Sequence, residues 1–331
     1  MPFTLAEHAL AQREPLKKGV YLGIVRESVI ADILPFRSVS TLSETGTRYD
    51  TVISPSFIPI SGTIPERTAG GKQISWGVYE LAVHIDIPIP LEKEGGLLEK
   101  PSTRQQKLAM LGAAYVFQQQ FVNGDQGSDP NGFDGINKIV GNLAGAQSVG
   151  ATELDIRGAP SAADAHAMLD RLDLAIDQVD GHKPDFALCN REFGQRFRSV
   201  MRQQDWKGID EDWIKGGFPF GDIREKLATA SSKPMFLYQG IPFYDAGVQA
   251  DMSTRVIGNT YSEGGSSNGT RVFFIKLSPE NLEGLQYSPP RMRRIGTLED
   301  REVDRHRFIW DVGIAVWGHR SISKAQGIRV A

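Results

Sequence analysis

The sequence predicts an α+β fold, and three observations lead to it. Helical and strand-like periodicities both occur along the chain, but they do not alternate in the regular order that builds a parallel sheet. Two strand-like segments, 47–60 and 72–87, are separated by a turn-rich stretch and predict a long β-hairpin. A third segment, 306–317, alternates apolar residues with small or polar ones, as a half-buried strand does.

The composition is that of a soluble protein with a hydrophobic core. Of 331 residues, 40% are hydrophobic and 23% are charged, which excludes wholesale disorder. Lys+Arg 37 against Asp+Glu 40 gives a net charge of -3, whereas dedicated nucleic-acid binders carry a clear basic excess. The single cysteine, Cys189, excludes an intramolecular disulfide framework. The sequence has no signal-peptide pattern and no apolar stretch long enough to span a membrane, so we expect a reducing compartment.

The hairpin is the most unusual predicted element. Apolar residues at helical spacing precede it from Val20 to Leu34, and Pro35 ends that helix. Each hairpin arm has about 14 residues, which at ~3.3 Å per residue gives a reach of about 45 Å. An isolated hairpin is marginally stable in water, so we expect this one to lie on another surface.

A strong helix is predicted to begin at Pro101 and to end at the cap pair Asn123-Gly124. It carries two apolar stripes, which predict burial around much of its circumference. The stripes are Leu108, Leu111, Tyr115 and Val122, and Met110, Ala114, Phe117 and Phe121.

Further along, Ser161 with Asp164 predicts a capped helix that ends at Gly181. Residues 186–189 predict a short buried strand, and residues 262–269 a flexible loop. Asn190 is predicted to cap the helix that follows the strand.

The sequence contains no catalytic motif. It lacks the P-loop pattern, a G-x-G-x-x-G after a strand, and the G-x-S-x-G nucleophile elbow. The histidines have no metal-binding spacing, and the acidic loop 125–136 fails the calcium pattern because Pro130 takes its central glycine position. Cys189 is interpreted as a small buried hydrophobe. We therefore predict no catalytic, cofactor-binding or metal site.

Arginines are concentrated at 291–307, which suggests a nucleic-acid stripe as one interpretation. Acidic residues are interleaved with them, and mixed signs favour a strand pair or an interface with ion pairs over a phosphate track. The acidic residues are Glu299, Asp300, Glu302 and Asp304. The chain has no catalytic motif and has a hairpin that its own residues cannot cover. Both features are typical of a subunit of a larger assembly, in which other copies of the chain bury the hairpin.

Six segments occur in a characteristic order along residues 16–330. They are LPF at 34–36, the hairpin 47–87, the helix 102–122 ending in FVNGD, NGFDGI at 131–136, FALCNREF at 186–193 and DRHRFIWDVGIAVWGHRSISKAQGI at 304–328. In this order and spacing they resemble the tailed-bacteriophage major capsid protein of the Hong Kong 97 type. No single segment is specific, and the resemblance depends on their order and on the total length.

The resemblance implies a Hong Kong 97-like fold with an N-terminal arm, an extended E-loop, a peripheral domain with a long spine helix, and an axial domain. The implied bounds are 1–40 for the arm and first helix, 41–92 for the E-loop hairpin, 93–150 and 286–317 for the peripheral domain, and 151–285 and 318–331 for the axial domain. It also implies inter-subunit contacts. In the E-loop these are Phe57, Trp76 and Tyr79, which would lie on an adjacent spine helix, and in the peripheral domain Arg291, Arg293, Arg294, Glu299 and Arg301.

The implied partners are copies of the chain, as hexamers and pentamers of an icosahedral shell, together with a portal protein. Because few residues precede the hairpin, a separate scaffolding protein is expected, with a decoration protein as an optional partner and packaged double-stranded DNA held by non-specific contact. The expected location is the virion, after assembly in the host cytoplasm and without a membrane. The resemblance implies neither a cofactor nor an enzymatic activity.

Two alternatives remain at this point. One is the shell protein of an encapsulin-type cellular compartment, which the resemblance allows because it has the same fold. The other is an enzyme whose site is assembled from distant residues, which would be a monomer or small oligomer with a deep polar pocket.

Overall fold

The computed structural model describes residues 24, 28–49, 53–60, 63–92, 101–143, 147–158, 160–203, 234–298 and 301–331. A short helix, α1 (Val29–Ile33), is capped by the Ser28 hydroxyl, which accepts from the Ala31 amide, and it ends just before Pro35 as predicted. Strand β1 (Phe36–Ser38) follows, and then a two-stranded ladder of β2 (Ser43–Tyr49) and β3 (Gly71–Gly77). Strand β4 (Tyr79–Pro88) and a helical turn, α2 (Ile89–Glu92), complete the N-terminal part.

A four-stranded sheet forms one half of the molecule, in the order β1-β12-β13-β4. Its long strands are β12 (Leu282–Thr297) and β13 (Val303–Val316), which run antiparallel. The predicted strand is confirmed and Phe308, Trp310 and Ile314 on one face of β13 are buried, but the predicted half-burial is wrong from Trp310 onwards, because both faces of residues 310–316 are covered. Strand β4 pairs with β13 along its whole length.

The long helix α3 (Pro101–Asn123) packs on the buried face of this sheet. Phe117 lies 4.8 Å from Trp310 between ring centroids, and both side chains are fully buried. The predicted bounds of the helix are confirmed, but the predicted burial is wrong for its N-terminal half. The buried residues of the helix all lie within 113–122, because only the C-terminal half passes over the core.

A larger sheet forms the other half, in the order β5-β14-β11-β7-β9-β8, with β6 paired to β14 and β10 to β11. Helix α4 (Ile136–Asn142) precedes it. The strands are β5 (Ser148–Val149), β6 (Leu154–Asp155), β7 (Phe186–Cys189), β8 (Phe236–Tyr238), β9 (Ile241–Asp245), β10 (Tyr261–Glu263), β11 (Ser266–Ile275) and β14 (Ile322–Arg329).

Two helices cover one face of the larger sheet. They are α5 (Ala162–Gln178) and α6 (Arg191–Gln203), and both share one apolar cluster with alternate residues of the sheet. The capping box of Ser161 and Asp164 is confirmed, and the Asn190 carboxamide oxygen accepts from the Glu192 amide at 3.1 Å. The opposite face of the sheet joins α3 and the four-stranded sheet in a second cluster, so one continuous core connects the two halves.

The hairpin differs from its prediction. The paired arms are β2 and β3, with Ser43 opposite Gly77 and Tyr49 opposite Gly71, whereas 53–60 and 63–70 form no strand. The segment predicted as the second arm also contains β4, which belongs to the four-stranded sheet. Proline explains part of the difference, since Pro55, Pro59 and Pro65 cannot donate to a ladder.

The predicted flexible loop at 262–269 is also wrong. This segment is a tight hairpin in which β10 turns into β11. Gly264 and Gly265 form the turn with φ of +59° and +75°, a left-handed conformation that glycine adopts without strain.

Candidate inter-subunit surface

The segment beyond the β2–β3 ladder presents large apolar side chains to solvent. Phe57 and Ile60 are fully exposed, and most of the Ile64 side chain is exposed as well. Neighbouring exposed apolar residues are Ile53 and Ile58. Concentrations of exposed apolar residues of this kind mark an interaction surface. We call residues 53–60 and 63–70 the apolar loop.

Trp76 and Tyr79, predicted as inter-subunit contacts together with Phe57, have a different environment. Both are partly buried and pack against the core of their own chain, and the Tyr79 hydroxyl accepts a hydrogen bond from Gln126. They contribute, with Leu42 and Phe133, to the lining of a cavity of about 350 Å³ at the root of the ladder. Their position indicates that they hold the ladder to its own subunit.

A charged network also fixes the root of the ladder. The Arg37 guanidinium donates to both Glu283 carboxylate oxygens, and one of its nitrogens lies 2.7 Å from Glu44 on β2. These carboxylates raise the pKa of Arg37, Glu283 having the larger effect. The Trp317 indole Nε1 donates to the same Glu283 at 3.0 Å. No local sequence pattern indicates this network, because its members come from distant parts of the chain.

The outer face of α3 carries an exposed apolar ridge that runs from its N-terminal half past its middle. Leu108 and Val116 remain 47% and 38% exposed, and Gly112 lies between them at the same helical spacing. A Cβ placed on Gly112 would meet no atom within 4 Å, so the ridge has an open notch at its centre. We call Leu108, Gly112 and Val116 the notched ridge.

The arginine-rich segment forms the outer parts of β12 and β13. The expectation of a strand pair with ion pairs is confirmed: Arg294 Nε lies 2.7 Å from Asp304 Oδ2, and Arg305 makes two 2.6 Å bonds to Asp86 on β4. Arg291 and Arg293 are exposed, and Arg293 lies directly opposite Arg307. Arg301 lies at the start of the turn into β13, and Glu299 lies outside the described residues.

Side chains that could react or bind a metal ion have structural roles here. Cys189 is fully buried, as predicted, and burial raises the pKa of its thiol well above the ordinary value. In the acidic loop, Asp125 caps the Gly127 amide and pairs with Lys138, which lowers the pKa of the carboxyl. Within the described ranges, no cluster of three or more histidine, cysteine or carboxylate side chains could hold a metal ion. No described helix is long and apolar enough to cross a membrane.

Solved structures of two capsid or encapsulin shells and of a phage match this arrangement of elements. The capsid of a native GTA particle matches with a TM-score of 0.61 at 14% identity, covering 93% of this chain and 91% of that chain. The chain has the Hong Kong 97 capsid fold. The holo-SrpI encapsulin complex from Synechococcus elongatus matches with a TM-score of 0.61 at 10% identity, over 91% of this chain and 88% of that chain. A structure from Microbacterium phage Oxtober96 matches with a TM-score of 0.57 at 10% identity, over 92% and 91%.

In sequence, no protein-family model matches the chain, and no curated protein matches it. The capsid fold is therefore visible in the arrangement of the elements, over about nine tenths of the chain, and not in the residue identities.

Proposed function

We propose that this chain is the major capsid protein of a tailed phage and that its copies assemble into the icosahedral head around double-stranded DNA. The observation that carries the proposal is the apolar loop on a chain with a capsid fold. Phe57 and Ile60 are fully exposed, and contact with a second copy would remove them from water. Burying one large aromatic side chain contributes about 2–3 kcal/mol before ordering costs, and many repeated contacts add through multivalency.

The notched ridge of α3 is the surface that we propose receives the apolar loop of a neighbouring copy. Leu108 and Val116 offer apolar area, and the notch at Gly112 leaves room for one large side chain. Phe57 is the residue of the loop that we place there. Trp76 and Tyr79 also remain proposed contacts with the neighbour, but both pack partly in their own subunit, so we expect less from them than from Phe57.

The exposed arginines of the four-stranded sheet are proposed as a second contact between copies. Arg291 and Arg293 face solvent, and acidic groups of a neighbour would pair with them around local three-fold axes, together with the predicted Arg294, Glu299 and Arg301. Arg294 already binds Asp304 within its own chain, so we expect less from it.

We propose that the two sheets mark the two domains. We assign the four-stranded sheet and α3 to the peripheral domain and the larger sheet with α5 and α6 to the axial domain at the centre of hexamers and pentamers. The proposed partners remain the portal protein, a separate scaffolding protein, a decoration protein and the packaged DNA. The function is self-assembly in the virion, and we propose no catalytic activity.

One observation favours a second candidate, the shell of an encapsulin-type compartment. The holo-SrpI encapsulin complex and the GTA capsid match the chain with the same TM-score of 0.61. The two candidates differ in content, because a phage head encloses DNA and an encapsulin encloses protein cargo. Negative-stain electron microscopy of purified particles, with nuclease-protected nucleic acid measured in parallel, separates them.

The apolar loop is tested by Phe57→Asp. We expect the variant to fold but to form few or no closed shells by electron microscopy, while Ser54→Asp, which adds the same charge at an exposed polar position of the same loop, assembles normally. If Phe57→Asp assembles as the parent does, this loop is not the contact. If the parent chain stays monomeric, with or without a scaffolding protein, the capsid function itself is wrong.

Gly112→Leu tests the receiving surface. Replacing a helical glycine stabilises the helix by about 1 kcal/mol or less, and a Cβ at this position meets no atom within 4 Å outside its own helix turn. We therefore expect a more stable monomer that assembles poorly. A variant that is more stable and assembles as well as the parent would exclude this ridge as the receiving surface.

A further inference from the structure

A lysine is buried where helix α4 meets the larger sheet. Lys324 of β14 is only 5% exposed, and its Nζ atom lies 3.2 Å and 3.3 Å from the two carboxylate oxygens of Glu263 on β10. The same nitrogen donates to the carboxamide oxygen of Asn137 on α4 at 3.5 Å. An amine, a carboxylate and a carboxamide from three different elements therefore converge on one point.

The amine and the carboxamide are both carried by packed elements. Asn137 is the second residue of α4, whose Ile136 and Ile139 are buried in the core. Lys324 lies within β14, where it pairs with Phe273 of β11. The two groups meet in the folded chain without further rearrangement of either element, and reactants that are positioned in this way gain a large effective concentration.

A second cation holds the carboxylate. Arg271 Nε donates to Glu263 Oε2 at 2.7 Å, and the guanidinium carbon lies 3.3 Å from the centre of the Tyr261 ring. Because Arg271 and Glu263 balance each other, a charged Lys324 adds a further positive charge at a buried site. Burial lowers the pKa of Lys324, Glu263 opposes this, and Arg271 lowers it further. The neutral amine, which is the nucleophilic form, is thus more accessible here than on an exposed lysine.

We propose that Lys324 and Asn137 of the same subunit become joined by an isopeptide bond, with Glu263 as the proton acceptor. The lone pair of Nζ attacks Asn137 Cγ, and the Nζ–Cγ bond forms. Two protons pass from Nζ through the Glu263 carboxylate to Asn137 Nδ2, and the Cγ–Nδ2 bond breaks to release ammonium. Glu263 is regenerated, and the ammonium carries away the charge of Lys324. The reaction needs no co-reactant and occurs once per chain, so it is not an activity on an external substrate.

The bond closes a very long loop of the chain. Residues 137 and 324 are 187 positions apart, and strands β5 to β13 all lie between them. A cross-link over such a loop restricts the unfolded chain and so favours the folded state. The bond strengthens the single subunit, and the inference does not depend on the proposed shell function.

Intact mass spectrometry of the denatured parent chain tests the bond. We expect a mass about 17 Da below that of the sequence, because one ammonia is lost. Lys324→Met and Asn137→Ala should each have the mass of their sequence. Glu263→Gln keeps the size of the side chain but cannot accept the proton, and we expect it to form the bond at least about a hundredfold more slowly.

Lys276→Met is the matched control. Lys276 also contacts a carboxylate, with Nζ 3.3 Å from Asp180 Oδ2, but it lies outside this site. We expect this variant to lose one ammonia as the parent does.

Peptide mapping distinguishes the bond from a succinimide, which also loses one ammonia. Trypsin does not cleave after a lysine whose amine is acylated, so the cross-linked product joins residues 108–138 to residues 321–329. A parent chain with the full mass of its sequence, or a loss of ammonia that persists in Lys324→Met, would overturn the bond. Either result leaves the capsid function standing, whereas a parent chain that forms neither rings nor shells would overturn the capsid function and not the bond.

Discussion

Gly46 lies so close to Trp317 that a Cβ at residue 46 would be 2.3 Å from the indole Cζ3 atom. Gly46 is on β2, and Trp317 directly follows β13, so this contact seats the ladder of the apolar loop against the four-stranded sheet. The indole has little freedom to move away, because its Nε1 donates to Glu283. Only glycine allows the two elements to approach this closely.

Gly46→Ala should therefore separate the ladder from its subunit. The added methyl group forces Trp317 or β2 to shift, and overpacking of this kind costs about 1–3 kcal/mol. We expect a lower free energy of unfolding in urea. We also expect slower shell assembly, because the ladder that carries the apolar loop is no longer held firmly against the four-stranded sheet. Thr47→Ser, at the next and exposed position, serves as the control, and an unchanged stability in Gly46→Ala would refute the close contact.

The aromatic centre of the core should dominate stability. Phe117 is fully buried against Trp310 and Phe36, whereas its neighbour Val116 is partly exposed. Phe117→Ala is expected to lower the free energy of unfolding by about 3–5 kcal/mol, and Val116→Ala by about 0.5 kcal/mol or less. Chemical denaturation of the two variants measures both, and similar losses would contradict the orientation of α3.

How much of this fold could be predicted depended on whether a pattern was local. The ends of α3 and the Ser161 capping box follow from residues close in sequence, and both were predicted. The pairing of β4 with β13 was missed, because periodicity identifies a strand but not its partner far along the chain. The Gly264-Gly265 turn was missed for another reason: a polar, glycine-rich stretch has the composition of a flexible loop whether or not its ends pair.

Only part of the candidate surface could be predicted from the sequence. Phe57 lies in an apolar segment interrupted by prolines, and this pattern already predicted a side chain that contacts another subunit. Trp76 is also a large aromatic residue but packs on its own chain, in a cluster with the distant residues Leu285 and Trp317. Leu108 was placed in a buried stripe, and only the path of α3 beyond the core shows it to be exposed.

The single thiol offers a simple test of packing. Cys189 is fully buried, and burial raises its pKa, so the reactive thiolate is scarce in the native state. We expect iodoacetamide to label Cys189 only after unfolding, as followed by intact mass. Ser54→Cys introduces an exposed thiol in the same chain that should react at once, and rapid labelling of Cys189 without denaturant would contradict its burial.

A carboxylate pair on the four-stranded sheet should make stability depend on pH. Asp311 of β13 lies directly opposite Glu80 of β4, and like charges in this position repel. Burial is the main cause that raises the pKa of Asp311, and Glu80 adds to it, while Arg291 and a hydrogen bond to Ser288 act in the opposite direction. Asp155 provides the contrast, because its hydrogen bonds to Arg157 lower its pKa to about 2.

The sign of the effect follows from proton binding. A carboxyl with a raised pKa binds protons more tightly in the folded state, so its cost is absent at low pH and appears as the pH rises through the raised value. Asp311→Asn should thus stabilise the unassembled chain at about pH 7 and lose that advantage towards about pH 4, as measured by urea unfolding. Asp155→Asn should behave in the opposite way, destabilising at neutral pH and less so in acid. An Asp311→Asn difference that is constant across this range would show that the carboxyl does not titrate differently in the folded state.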